Sequence, residues 1–165
     1  MQTESFYLQT PIGRLLISCK GNKVIELNLG MDNKKSRQTE VTGTIGLRSD
    51  FVQSVKNQLN NYFNGSSAYF VVDLSMQGTD YQKSVWQCIS EIKWGETLTY
   101  GDIAEQLDSS ARAVGNACRA NPVPIIVPCH RVVSKSGLGG FAGQREGNNI
   151  NVKTWLLEHE RSLSL

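Results

Sequence analysis

Three prolines fall within seven residues of one short segment, and they restrict its backbone more than any other feature of the sequence. Residues 121–131 read Asn-Pro-Val-Pro-Ile-Ile-Val-Pro-Cys-His-Arg, with prolines at positions 122, 124 and 128. Each proline fixes its own φ at about −65°, lacks a backbone donor and disfavours helix in the residue before it. We therefore expect a stiff, extended segment, which we name the strap, that holds Cys129 in a defined position.

Cys129 lies next to residues that can activate a thiol. An ordinary cysteine has a pKa of about 8.5, so a nucleophilic cysteine needs a base or a positive charge nearby. His130 and Arg131 follow it directly. Adjacent side chains of an extended strand point to opposite faces, so we expect His130 to reach the sulfur through a bend or a bridging water. Glu158 or Glu160 can orient the imidazole, which gives a plausible Cys-His-Glu triad.

Two short helices are predicted before the strap. Thr99 can cap a helix that runs through Leu107, and residues 108–110 can turn the chain and cap a second helix over residues 111–120. Apart from a valine and two arginines, the second helix carries small side chains and can approach a narrow groove. Arg112 near its start can reach phosphates or enter a base stack. The pair is typical of a helix-turn-helix, and a small-residue helix packed in a core is the alternative.

The remaining pattern predicts a β-rich first part and a helical second part. Strands are predicted over residues 5–9, 14–19, 24–29 and 68–74, and amphipathic helices over Asp50–Phe63 and from the cap Thr79 to near Trp94. Residues 31–48 are polar and are predicted to form a loop. We place a boundary after residue 78, between domains of residues 1–78 and 79–165.

Composition and charge exclude some classes of protein and leave others open. The apolar runs are too short to cross a bilayer, and the start of the chain has no basic-then-apolar targeting pattern, so we expect a cytoplasmic protein. The four cysteines show no paired spacing of a zinc site or a disulfide scaffold. Residues 109–145 hold basic side chains and no acidic ones, which fits either a phosphate-binding or a solvated basic face. These basic residues are Arg112, Arg119, Arg131, Lys135 and Arg145.

Motifs spread over the second half match a known family in order and spacing. They are Tyr100, then Ala-Arg-Ala-Val-Gly at residues 111–115, Asn-Pro at 121–122, Ile-Val-Pro-Cys-His-Arg-Val-Val at 126–133, and Lys-Thr-Trp-Leu-Leu-Glu-His-Glu at 153–160. The chain thereby resembles the O6-alkylguanine-DNA alkyltransferase family over about residues 81–160. The N-terminal strands are loosely similar to that family's lobe. The implied fold is α+β, with an N-terminal ribonuclease-H-like lobe and a C-terminal helical domain that carries a winged-helix-like helix-turn-helix and the strap.

The resemblance also implies an activity and a set of roles. Proteins of this family insert the helix-turn-helix in the minor groove, flip the damaged nucleotide and accept its alkyl group on a cysteine. By position, Cys129 is the acceptor, His130 the base acting through water and Glu160 the group that orients it, which leaves Glu158 at the surface. We expect one turnover per molecule on duplex DNA that carries O6-alkylguanine, by a monomer with no cofactor and no metal. The sulfur is expected to be held ionised at the rim of a slot for one unstacked purine.

Other positions take their roles from the same resemblance. Arg112 fills the space left by the flipped base, Tyr100 aids rotation and donates to the guanine, and Asn121 ties the recognition helix to the strap. The DNA-binding set is Arg112, Tyr100, Ala111, Ala113, Gly115 and Arg119, and the substrate-pocket set is Val132, Phe141, Ala142 and Gly143. The backbone carbonyls of Cys129 and Val132 are expected to accept from the guanine amino group.

The chain departs from the family pattern after the strap. Residues 141–144 read Phe-Ala-Gly-Gln where the family has a Tyr-Ser-Gly-Gly-like lid, and residues 144–152 make this region longer than usual. The range of alkyl groups and activity on alkylated thymine stay open for this reason. Two other functions compete: a Cys-His-Glu hydrolase with repeated turnover, and a DNA-binding module that marks lesions without repairing them. The competing structural interpretation of Cys129 is a buried core thiol beside an idle histidine.

Overall fold

A computed structural model of the protein describes residues 2–29, 49–141 and 147–163, without the side chain of residue 148. The chain forms two compact units, Met1–Met76 with Leu165 and Gln77–Ser164. The predicted boundary after residue 78 lies two residues beyond this division. The loop predicted over residues 31–48 lies outside the described residues. Within the described ranges, no helix is long and apolar enough to cross a membrane.

An antiparallel sheet forms the start of the first unit. Its strands, in sheet order, are β1 (Thr3–Thr10), β2 (Gly13–Lys20) and β3 (Lys23–Asn28). Alternate residues point to one face, so the pairs Phe6 with Ile17 and Leu8 with Leu15 bring four buried apolar side chains together. The three strands predicted in this region are confirmed.

Helix α1 (Asp50–Phe63) has the predicted bounds. The Ser49 hydroxyl caps it by accepting from the Val52 N–H at 3.3 Å. Its buried residues recur at the three- and four-residue intervals that the sequence showed: Val52, Val55, Leu59, Tyr62 and Phe63. Burial of this stripe gives the first unit a helix packed on its sheet, as the contacts between α1 and β1 show.

The strand predicted over residues 68–74 is wrong. The segment forms only an isolated parallel bridge, between Leu74 and Val24 of β3. At Val71, the Gln58 side chain takes the part of a strand partner, with its amide donating to the Val71 carbonyl (3.1 Å) and accepting from the Val71 N–H (2.6 Å). Alternation in the sequence cannot distinguish this side-chain pairing from a backbone ladder.

The second unit is mainly helical. Its elements are α2 (Asp80–Ser90), β4 (Leu98–Thr99), α3 (Tyr100–Gln106), α4 (Ala111–Arg119), β5 (Val132–Val133) and α5 (Asn148–Ser162), and β4 pairs with β5 in parallel. Thr79 and Thr99 begin α2 and α3 with capping boxes completed by Gln82 and Asp102. The mixed α+β class expected from the sequence is confirmed.

Helix α2 ends four residues before its predicted end near Trp94. The Glu91 N–H donates to the Cys88 carbonyl and the Ile92 N–H donates to the Ile89 carbonyl, which tightens the last turn. Ile92 nevertheless stays buried. An apolar residue beyond the helix end therefore extended the helical pattern in the sequence.

Helices α3 and α4 form the predicted helix-turn-helix pair. Asp108 in the turn adopts a left-handed φ of 51°, which Asp tolerates better than most residues. The Ser110 hydroxyl then caps α4 by accepting from the Ala113 N–H at 3.2 Å. The buried face of α4 is short, and the Trp86 indole N–H of α2 donates to its Ala117 carbonyl at 2.8 Å.

We expect Gly78→Ala to destabilise the protein, because a Cβ at this position would lie 2.5 Å from the buried Trp86 ring. Overpacking of this kind costs about 1–3 kcal/mol in the free energy of unfolding. Gly137→Ala is the matched control, since a Cβ there meets nothing within 4 Å, and it should change stability by less than about 0.5 kcal/mol. Urea unfolding followed by tryptophan fluorescence measures both. Equal stability of the two variants would contradict the packing described for Gly78.

Candidate active site

The strap ends in two consecutive tight turns around Cys129. Pro128 has φ −82° and ψ 65°, the values of an inverse γ-turn, and the Cys129 N–H donates to the Val127 carbonyl across it at 2.8 Å. Residues Cys129–Arg131 then form a 3₁₀ turn. The expectation of an extended chain here is wrong, because the φ that proline imposes also suits the centre of such a turn. Neighbouring side chains in a 3₁₀ turn are about 120° apart, so Cys129 and His130 do not point to opposite faces.

Asn121 anchors the strap at its other end. Its side-chain Nδ2 donates to the Val127 carbonyl at 2.9 Å, and its Oδ1 accepts from the Val123 N–H at 3.0 Å. Its own N–H donates to the Cys118 carbonyl near the end of α4 at 3.2 Å. Ile125, between these contacts, has a left-handed φ of 75°, which is rare for a β-branched residue. Asn121 thus links α4 to the residue that precedes Pro128, around a strap that is folded rather than extended.

The Cys129 thiol is protonated at rest. Burial raises its pKa above the ordinary value, and this outweighs a hydrogen bond from Asn121, the positive charge of Lys153 and a backbone hydrogen bond, which all lower it. The residue is 6% exposed. The expectation of a resting thiolate is therefore wrong, because desolvation disfavours the charged form. A base close to the sulfur must therefore accept this proton before or as the thiol reacts.

Glu160 of α5 joins His130 and Arg131 in a buried cluster. Its Oε1 lies 2.7 Å from His130 Nε2 and accepts from Arg131 Nη2 at 2.9 Å, and its Oε2 accepts from Arg131 Nε at 2.9 Å. Burial alone would raise the pKa of Glu160, but the hydrogen bonds and charges of His130 and Arg131 lower it to about 2. Glu160 is therefore a carboxylate. Glu158, the other candidate, is exposed.

The carboxylate fixes which nitrogen of His130 carries a proton. Burial lowers the pKa of His130, and the charges of Arg131 and Lys153 lower it further against the raising effect of Glu160, so the imidazole is neutral. An ionised carboxylate can only accept, so the proton lies on Nε2. His130 Nδ1 is buried and has no hydrogen-bond partner within the described part of the chain. Its lone pair is therefore the basic site of this imidazole.

Arg131 is a structural cation here. Besides Glu160, it binds the Ile92 carbonyl that follows α2, with Nη1 donating at 2.6 Å. It is 6% exposed, so neither alternative for the basic segment, a phosphate-binding or a solvated face, holds for Arg131. A basic residue in a segment without acidic neighbours can still find its partner in a distant helix. Lys135, from the same segment, is exposed, and Arg145 lies outside the described residues.

Tyr100 stands at the first position of α3 against a glycine-rich loop. Its hydroxyl donates to the Gly140 carbonyl at 3.3 Å, and a Cβ on Gly139 would come within 2.7 Å of its ring. Burial is the main cause that raises the pKa of Tyr100 to about 12, and Cys118 and Cys129 add to the shift when their thiols ionise. The hydroxyl therefore keeps its proton and can donate a hydrogen bond at neutral pH.

Lys153 of α5 was missed as a functional candidate. Its ammonium donates to the carbonyls of Val132 (2.7 Å), Leu138 (2.6 Å) and Gly140 (3.0 Å), and the residue is fully buried. A signal existed in the sequence, because Lys153 occupies a helical stripe that is otherwise mostly apolar. The buried residues of this stripe are Asn149, Val152, Lys153, Leu156, Leu157 and Glu160. A lysine on such a face is buried only when its charge has partners.

The predicted pocket residues are placed in part. Val132 and Phe141 are buried, whereas Ala142 and Gly143 lie outside the described residues. The Cys129 carbonyl already accepts from the Val132 N–H, and the Val132 carbonyl accepts from Lys153. Either oxygen would have to receive a guanine amino group on its second lone pair.

Helix α4 presents two arginines on one side. Arg112 and Arg119 are seven residues apart, hence two turns and about 10 Å along one face, and both are exposed. Ala111 is exposed as well, and Ala113 and Gly115 are half-buried. The structure therefore brings Cys129, His130 and Glu160 together and leaves the predicted DNA-binding residues of α4 accessible.

The fold and this site are those of an α+β protein with a helix-turn-helix unit and a buried Cys-His-Glu arrangement. Residues 80–162 match the family model for the DNA-binding domain of 6-O-methylguanine DNA methyltransferase, and residues 4–76 match the model for its ribonuclease-like domain. The chain belongs to the 6-O-methylguanine DNA methyltransferase family, whose members repair DNA by alkyl transfer.

Individual relatives agree with the family models. The methylated-DNA–protein-cysteine methyltransferase of Mycobacterium bovis is 40% identical over 158 residues, which are 94% of this chain and 90% of the relative. The crystal structure of Mycobacterium tuberculosis O6-methylguanine methyltransferase is similar with a TM-score of 0.85 and 36% identity, covering 99% of this chain and 96% of that one. A second structure from M. tuberculosis, solved in complex with DNA, has a TM-score of 0.79 and 39% identity, covering 98% and 94%.

We expect Glu160→Gln to lower the free energy of unfolding by about 3–5 kcal/mol at neutral pH, since Arg131 would remain buried without its counter-charge. The matched control is Glu158→Gln on the exposed side of α5, with an expected change below about 0.5 kcal/mol. Urea unfolding measures both. Similar losses in the two variants would contradict a buried ionic cluster at Glu160.

Glu160→Gln should also change how the free energy of unfolding depends on pH in acid. The pKa of Glu160 is lowered from an ordinary 4.5 to about 2, so the folded protein holds the carboxylate more strongly than the unfolded chain does. Its contribution is fully present above pH 4.5 and is lost as the pH falls towards 2. Stability measured over this range should fall less steeply in Glu160→Gln than in the wild type. An unchanged slope would mean that Glu160 does not titrate with folding.

Proposed function

We propose that this protein transfers the alkyl group from O6 of guanine in duplex DNA to Sγ of Cys129. The observation that carries the proposal is the neutral His130, whose Nε2 is bound to the Glu160 carboxylate and whose Nδ1 is left as a base one residue from a buried thiol. Such a base can accept the thiol proton when an electrophile is in place. A core thiol with an idle surface histidine would not need this buried carboxylate.

The proposed step balances without a cofactor. The Sγ–H proton passes through a water to His130 Nδ1, the sulfur forms a bond to the alkyl carbon, and the carbon–O6 bond breaks with its electron pair left on guanine. The guanine anion then takes the proton back from the imidazolium. Tyr100 acts as a hydrogen-bond donor to the departing base, because its raised pKa of about 12 makes it a poor source of a full proton.

The product explains why we expect one turnover. Transfer leaves a thioether on Cys129, and this uncharged sulfur–carbon bond gives a general base no proton to remove. His130 can accept and return a proton and Glu160 orients it, but neither can regenerate the thiol. A hydrolase would instead form an ester or thioester that water cleaves. The proposed protein is therefore consumed by its own reaction.

DNA is proposed to bind on the exposed side of α4. The sulfur must approach the alkyl carbon in line with the departing O6, and the stacked neighbours of a base in duplex DNA block that approach, so the nucleotide has to be flipped. We assign Arg112 to the space that it leaves, Arg119 to phosphate, and Ala111, Ala113 and Gly115 to close contact with the groove. Their small side chains and accessibility support this assignment.

The finer expectations remain part of the proposal. We assign Asn121 to positioning the strap, and Val132 and Phe141 to the pocket, together with Ala142 and Gly143 of the lid. We infer that a monomer acts in the cytoplasm, where cysteines stay reduced, and that the domains divide after residue 78. The four cysteines are free thiols, which fits a reducing environment.

We expect an oligonucleotide duplex with O6-methylguanine to add one methyl group to the protein, and no more. Cys129→Ser should abolish the transfer, whereas Cys88→Ser, which changes a half-buried cysteine of α2, should retain it. Intact-mass measurement with peptide mapping locates the group. Methylation of the Cys129→Ser variant or repeated turnover would overturn the proposal. Tight binding to damaged DNA without a change in mass would favour the lesion-marking module instead.

We expect Arg112→Ala to slow repair in duplex DNA by about 10- to 100-fold and to affect reaction with the free O6-alkylguanine base much less. The arginine replaces stacking only when a base has been flipped from a duplex. Arg161→Ala, which removes an exposed arginine from α5, is the control and should leave both rates unchanged. Single-turnover kinetics on the two substrates measure the effect. Equal losses on both substrates would make Arg112 a structural residue.

A further inference from the structure

The Lys153 ammonium has as many carbonyl acceptors around it as it has donor hydrogens. An ammonium group has three donor hydrogens and no acceptor, and three backbone carbonyls lie within 3.0 Å of Lys153 Nζ. These carbonyls belong to Val132, Leu138 and Gly140, so one cation gathers both ends of the loop over residues 132–140. A buried lysine is expensive unless it is paired in this way, and within the described residues the hydrogen-bond acceptors of this ammonium are carbonyls rather than a carboxylate.

The gathered loop touches the reacting parts of the site on two sides. At one end, Val132 directly follows the 3₁₀ turn, and its N–H donates to the Cys129 carbonyl. At the other end, the Gly140 carbonyl accepts from both Lys153 and the Tyr100 hydroxyl. Lys153 Nζ also lies 5.9 Å from the centroid of the Tyr100 ring. The ammonium therefore binds both the residue that follows the Cys129 turn and the carbonyl that accepts from Tyr100.

We propose that Lys153 is a positioning residue for alkyl transfer, whose ammonium holds the 132–140 loop so that the Tyr100 hydroxyl and the Cys129 turn face the same guanine. This inference rests on the proposed function. Lys153 acts through the Gly140 and Val132 carbonyls and does not touch the substrate itself. The Tyr100 hydroxyl donates its one proton to the Gly140 carbonyl, so this contact holds the Tyr100 oxygen in place, and the proton turns to guanine only when the base is bound. Loss of the ammonium would release Gly140 and leave the Tyr100 oxygen without this anchor.

The state of the ammonium depends on the groups that face it. The ammonium interacts electrostatically with Cys129 of the 3₁₀ turn, Cys118 of α4 and His130, and it lies near the Tyr100 ring of α3. Burial lowers the pKa of Lys153 to about 8, against the raising effect of Cys129 and Cys118. Below pH 8 all three donors are present, and above it a neutral amine has two donors and a lone pair for three carbonyls. The positioning therefore weakens as the pH rises through this value.

The test compares Lys153→Met, which keeps a side chain of similar length without the charge, with Lys153→Arg, which keeps the positive charge to higher pH. Single-turnover methyl transfer from the O6-methylguanine duplex is measured from pH 6.5 to 9.5, in roughly half-unit steps that bracket the shifted lysine. We expect Lys153→Met to be about 10- to 100-fold slower at neutral pH. Above pH 8 the ratio of the wild-type rate to the Lys153→Arg rate should fall, because the wild type loses its ammonium there and the arginine variant keeps its charge. Lys93→Met, which changes an exposed lysine after α2, is the control and should match the wild type.

A double-variant cycle separates positioning from general support of the fold. If Lys153 acts through the direction of the Tyr100 hydroxyl, adding Tyr100→Phe to Lys153→Met should slow the reaction by less than about threefold more, because the hydroxyl is already misplaced. Additive losses, or a Lys153→Met rate equal to that of the wild type, would overturn the proposal. If Lys153→Met does not fold, an alkaline limb shared by the wild type and Lys153→Arg would overturn it. Failure of the wild type to accept a methyl group would instead refute the proposed function.

Discussion

The buried carboxylate of Glu160 is the interaction on which the rest of this site depends. It brings a negative charge from α5 to the 3₁₀ turn, where His130 and Arg131 each bind it within 3 Å. Arg131 extends the cluster to the Ile92 carbonyl after α2. One carboxylate therefore connects three elements and also fixes the tautomer of the imidazole. Arg131 would be costly to bury without it, because an unpaired ion in the interior loses its hydration.

The sequence favoured a resting thiolate at Cys129, whereas burial of this residue keeps it in the less reactive thiol form. A thiolate held ready beside a histidine suits an enzyme that turns over many times, but it also exposes the sulfur to oxidation at all times. Here desolvation keeps Cys129 protonated and His130 neutral. A protein that uses its sulfur once benefits from this arrangement, since a nucleophile spent on an oxidant cannot be recovered by turnover.

The sequence predicted the parts of the fold that depend on local pattern. Helix α1 and the capping boxes of α2 and α3 follow from apolar spacing and from short polar signals. Cys129 and His130 could be chosen by residue type, whereas the choice of Glu160 over Glu158 came from the family resemblance. What it could not reveal depends on partners far along the chain. Arg131 reads as a surface base until Glu160 is folded against it. Proline at residue 128 fits both an extended chain and the turn that forms.

Arg131 and Lys153 are two buried cations of the site, and different kinds of partner stabilise their charges. Arg131 is held by the Glu160 carboxylate, so it serves as a fixed support. Lys153 is held by neutral carbonyls, and burial lowers its pKa to about 8. A guanidinium in its place would stay ionised, but its planar fork suits a flat carboxylate better than three converging carbonyls. The compact ammonium fits the loop geometry, and an ion that titrates near neutral pH follows from that fit.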